Sequence, residues 1–187
     1  MEFERIRKIL VIALVLALAF SVLLNLHTQN LLTVQQKRTD YMCAEAFKHW
    51  LEEMKSVKSI LEVAETNLDV VPAMNYTAAA LGFANVLAWT IEIERPANFG
   101  EHLYLQIAGA TIRIWEFESD RAWEANHIGV QNLTDGTLQW ILNKTQTIQS
   151  LIDTVGQVEY DIDPVKQLEE RGTLTQVTDY AHLLSGS

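Results

Sequence analysis

The spacing of apolar positions changes character once along this chain. From Ile9 to Leu26 (ILVIALVLALAFSVLLNL) it is nearly continuous, with Ser21 and Asn25 the only polar side chains. A helix rises about 1.5 Å per residue, so eighteen residues reach roughly 27 Å, close to the hydrocarbon thickness of a bilayer. The competing reading is a cleavable signal peptide ending at Ala17-Leu18-Ala19. Cleavage there leaves Phe20–Leu26 as an apolar new terminus, which favours a retained signal-anchor. Arg5, Arg7 and Lys8 flank the run on one side, whereas Lys37 and Arg38 are the nearest bases on the other. That asymmetry places the N-terminus in the cytoplasm and the bulk of the chain outside it.

Beyond residue 40 the pattern becomes helical. Phe47, Met54, Leu61 and Leu68 recur every seven residues, and Cys43, Trp50, Val57, Ala64 and Val71 form the companion set. Side chains so spaced share one helix face, with the look of a coiled-coil seam. The spacing predicts a helix over 40–71, capped by Thr39 or Asp40 and ended by Pro72. Ala79, Phe83, Val86, Thr90 and Ile93 predict a second helix over 75–95, closed by Pro96. A third covers 98–125, with a wide apolar arc of Leu103, Leu105, Ile107, Ile112, Ile114, Trp115 and Phe117. Gly109 at its middle is either a close helix crossing or a tolerated cost of about 1 kcal/mol. The fourth is the most regular, stepping through Leu138, Ile141, Thr145, Ile148, Ile152 and Val155. Asp163-Pro164 starts a short helix that Gly172 ends, and Thr173–Leu184 forms another.

No run alternates as a strand does. The fold class expected is all-α: one N-terminal transmembrane helix, then an antiparallel four-helix-bundle-like exported domain with a short helical C-terminal tail. The divisions are 1–8 cytoplasmic tail, 9–26 anchor, 27–39 juxtamembrane link, 40–158 bundle and 159–187 short helices. About eight cytoplasmic residues leave no room for an output domain on that side. In architecture alone the arrangement resembles extracytoplasmic sensor domains, and such a likeness carries no function.

Charge narrows the partners. The exported part holds 22 acidic and 11 basic residues, a net of about −11. That excludes nucleic acid, which needs a basic surface. Three N-x-T sequons, at Asn75, Asn132 and Asn143, are glycosylation candidates consistent with export. Cys43 is the single cysteine. Its place on the apolar seam favours burial over an intermolecular disulfide, which remains the alternative.

Catalytic apparatus is absent from the sequence: no G-x-S-x-G, H-E-x-x-H, phosphate-binding glycine loop or C-x-x-C occurs. The expectation is a non-enzyme without cofactor or metal. Two patterns bear on metal. Glu124-Ala-Asn-His127 matches half of a di-metal bundle motif but lacks its second half. Glu45, His49 and Glu53 share a helix face and read as solvated neighbours. Trp50, Trp89 and Trp140 are candidates to rim a ligand groove, although aromatics at helical spacing usually pack in cores. The leading functional expectation is a membrane-anchored surface protein binding another membrane or surface protein, or itself through the heptad seam. The alternative is a sensory or accessory subunit with a ligand between helices.

Overall fold

The computed structural model describes the backbone of residues 2–94 and 99–186 and the side chains of 12–90 and 103–186. The expectations for Arg5, Arg7, Lys8, Ile93 and Pro96 rest on side chains outside those residues. The described chain is all-helical, with no strand. Its elements are α1 (Glu2–Leu61), α2 (Asn67–Val70), α3 (Ala73–Glu94), α4 (Phe99–Trp123), a π-helix (Glu124–Ile128), α5 (Asp135–Val155), α6 (Pro164–Glu170) and α7 (Leu174–Ser185).

Two compact units divide the chain at Thr39 and Asp40. In the first, the described part of α1 is exposed throughout its apolar run. α1 and the stretch Asn67–Thr90 are the two described helices long and apolar enough to cross a membrane.

The second unit has its own core. Phe47, Trp50, Met54 and Leu61 of α1 meet Leu87, Leu103, Ile107, Ile114, Ile148 and Leu151, all fully buried. α4 packs against α3 on one side and α7 on another, and α7 also packs on α5. The C-terminal helix is therefore a packing partner of two long helices, with Val177, Ala181 and Leu184 fully buried.

The heptad seam from Cys43 to Leu61 is buried as its spacing requires. The helix itself stops ten residues before the expected Val71. Thr66 and Asp69 form a capping box that starts α2 instead. The Asn67 amide donates to the Gln131 carbonyl at 2.8 Å, fixing this break against the segment after the π-helix. Leu68 is consequently exposed. The expected cap at Thr39 or Asp40 begins no helix, because α1 runs through it; the Asp40 carboxylate lies 3.7 Å from the Lys166 ammonium.

In α3 the buried stripe is rotated from the expected one. Ala73, Thr77, Ala80, Ala84 and Leu87 face inward, whereas Ala79 and Val86 are exposed and Phe83 is half-buried. Small residues let this helix lie close to its neighbours, so bulk is a poor guide to its inner face. In α4 only part of the expected wide arc is inside. Leu103, Ile107 and Ile114 are buried, while Leu105, Ile112 and Trp115 are exposed. A Cβ at Gly109 would lie 3.9 Å from Ser185 Cβ, an ordinary contact, so no close crossing requires that glycine. In α5, Ile141, Thr145, Ile148 and Val155 are buried as expected and Leu138 is exposed.

Candidate functional site

The residues singled out by sequence do not converge. The three sequon asparagines, Asn75, Asn132 and Asn143, are all exposed. Trp50 is packed solid, and its indole N–H donates to Thr111 Oγ1 at 2.9 Å. Trp89 is 67% exposed. Trp140 stacks on Phe117 with ring centroids 3.8 Å apart. Cys43 is buried, with its Sγ 3.4 Å from Thr90 Oγ1.

The metal patterns are directed elsewhere. His49 stacks on Phe83 and pairs with Glu52 through Nδ1 at 3.2 Å. Glu124 accepts from Arg121 at 2.8 Å, while His127 stacks on Trp123. Among the described residues no three His, Cys, Asp or Glu side chains come together to hold a metal ion.

The structure adds three polar features. The first is Glu118, fully buried where α4 meets α3. Burial pushes its carboxyl up to about 8, partly offset by the hydrogen bond with Thr77. Thr77 Oγ1 has one proton and two acceptors in reach, the Ala73 carbonyl at 3.2 Å and Glu118 Oε1 at 2.9 Å. Thr77 donates to Glu118 Oε1, while Glu118 Oε2 is buried with no hydrogen-bond partner among the described residues, so a single hydroxyl is set against the cost of burying the carboxyl. Its position was legible, since Ile107, Thr111, Ile114 and Glu118 step by 4, 3 and 4 along the inner stripe of α4.

The second is Lys144, which lies on the inner stripe of α5. Its ammonium donates to the carbonyls of Leu183 (2.8 Å), Leu184 (3.2 Å) and Gly186 (2.6 Å). These are the groups a helix C-terminus leaves unmet, and a cation there also suits the helix dipole. Desolvation lowers the Lys144 pKa from its ordinary value.

The third is a cleft of about 490 Å³ between α5, which lines it with Trp140 and polar side chains, and α7, which lines it with Tyr180 and Leu183; the Lys144 ammonium lies over the Trp140 ring, 5.5 Å from its centroid. A second, larger cleft of about 650 Å³ lies between α1 and the segment 156–161. Its Lys48 donates to Tyr160 Oη, and its acids and bases are mixed.

No protein-family model matches the chain, and neither a curated protein nor a solved structure matches it. Geometry alone therefore carries the functional reading.

Proposed function

We propose that this protein is a membrane-anchored interaction module. A single span over residues 9–26 holds an antiparallel, four-helix-bundle-like domain on the extracytoplasmic side, where it meets another membrane or surface protein or a second copy of itself. One observation carries the reading. Within the single helix α1, the stretch Ile12–Leu26 has its side chains exposed all round, while Phe47, Trp50 and Val57 are wholly buried. A contiguous apolar surface of that extent is untenable in water and natural in hydrocarbon. The other apolar stretch, Asn67–Thr90, has a different use for its hydrophobicity: Ala80, Ala84 and Leu87 pack into the core. This supports one span rather than two.

The heptad seam of α1 is occupied inside the domain, so association must use another face. Leu105, Ile112 and Trp115, at spacings of seven and three, form an exposed apolar stripe on α4. A photo-crosslinking amino acid at position 115, compared with one at the exposed Asp153, tests this in intact membranes. The reading expects an adduct from 115 and none from 153; a doubled chain mass identifies self-association. Equal adducts, or none from 115, would overturn the interaction surface. The cleft between α5 and α7 favours a second reading, an accessory subunit that also holds a small ligand.

A further inference from the structure

α3 turns a second apolar face to solvent. Ala79, Gly82, Val86 and Trp89 step along it by 3, 4 and 3, the spacing of a heptad seam, and all four are exposed. Val86 is 40% exposed and Trp89 67%.

Two features set this face apart. The first is charge. From Ala73 to Thr90 the helix has no Asp, Glu, Lys or Arg, in a chain of net charge −10. The neighbouring α1 and α4 turn Glu52, Lys55, Arg113 and Glu116 to solvent. Acidic chains repel one another over most of their surface, and along α3 two copies meet without that repulsion. The second feature is Gly82. Glycine inside a helix is unfavourable relative to alanine. A Cβ at Gly82 would meet nothing within 4 Å, so packing inside the chain does not require the glycine. What its missing Cβ permits is the close approach of a backbone from outside.

We propose that α3 is a homodimer seam, with Gly82 on the two-fold axis against its counterpart in a second copy. The inference rests on the reading of residues 9–26 as a membrane anchor, and its face is distinct from the α4 stripe. Two copies anchored alike in one bilayer are related by a two-fold axis along the membrane normal, so residues on that axis meet their own twins. The backbones come closest at Gly82, and Val86 and Trp89 of each copy cover those of the other. Confinement to one bilayer raises the effective concentration of each face for its twin.

The test is disulfide crosslinking of the full chain in membranes of a bacterial host that adds no sugar, with copper phenanthroline as oxidant. Every variant carries Cys43→Ala, and only the carbonate-resistant pellet is scored. Gly82→Cys should give a species of twice the chain mass, on the order of tenfold more than Asp153→Cys at an exposed site on α5. Val86→Cys should crosslink likewise, and adding Gly82→Leu should abolish that crosslink. Leucine at 82 enters open space and is a better helix former than glycine, so the melting temperature should not fall. Loss of pairing is thereby separated from loss of fold. Equal crosslinking of Gly82→Cys and Asp153→Cys, a disulfide partner other than the chain itself, or a Val86→Cys crosslink that survives Gly82→Leu overturns the proposal. Absence of the chain from the pellet overturns the anchor and the proposal with it; a chain retained there without the Gly82→Cys crosslink overturns the seam alone.

Discussion

Replacing Glu118 by glutamine should flatten part of the pH dependence of stability. The ordinary carboxyl value is 4.5, and burial raises it to about 8 in the folded chain. Between those values the native state holds a proton that the unfolded state has lost. Stability contributed by this group is therefore fully present below about pH 4.5 and declines as pH rises toward 8. Each pH unit inside the window is worth about 1.4 kcal/mol, so the ceiling is roughly 5 kcal/mol. Water admitted on ionisation reduces the observed figure. The substituted side chain would keep the volume, and its amide oxygen would accept from Thr77 Oγ1 as the carboxyl does. Thermal unfolding of wild type and Glu118→Gln, followed by tryptophan circular dichroism in micelles from pH 5 to 9, cancels every other titration in the difference. The variant should gain on the wild type continuously across pH 5–8 and stop gaining above about pH 8. Parallel curves, or a variant that loses ground as pH rises, would show that Glu118 is ionised in the fold and refute the raised carboxyl value.

Other residues give narrower tests. Lys144→Met leaves two α7 carbonyls and that of Gly186 without their charged donor, and should cost about 1.5–3 kcal/mol with faster amide exchange over residues 174–185. Trp50→Phe removes the bond to Thr111 inside the core and should cost about 1–3 kcal/mol in chemical denaturation, with the fold retained. Thr66→Ala removes the cap of α2 and should cost about 1 kcal/mol by the same measurement. Cys43 should react with a thiol reagent at the rate of unfolding and run as a monomer without reductant; rapid labelling of the native chain would contradict its burial.

The sequence carried more of the helices than of their inner faces. α5, α6 and α7 follow directly from seam spacing, the Asp163-Pro164 start and the Gly172 stop. α1 was readable as far as Leu61, but the capping box of Thr66 and Asp69 outweighed the continuing heptad. In α3 the error was rotational, because Ala80 and Ala84 sit inward while Val86 faces out; in α4 the expected arc was too wide, because Leu103, Ile107 and Ile114 sit inward with Thr111 and Glu118 while Leu105 and Trp115 face out. A pattern weighted by bulk cannot see a stripe built from small and polar residues. The chemistry was missed for a different reason: Glu118 and Lys144 hold inner-stripe spacings that the sequence displays, but a charge at such a position reads as a break in amphipathicity. The cleft depends on α7 meeting α5, a contact that no local spacing encodes.

The central claim is that residues 9–26 anchor the chain and the folded domain lies across the membrane from the N-terminus. Synthesis of the full chain into sealed microsomes, followed by alkaline carbonate extraction and by protease added outside, tests it directly. The account predicts a chain that stays with the membrane pellet and a domain from residue 40 onward that resists protease until detergent opens the vesicles. Release of the chain by carbonate, or digestion of the domain in sealed vesicles, would contradict it.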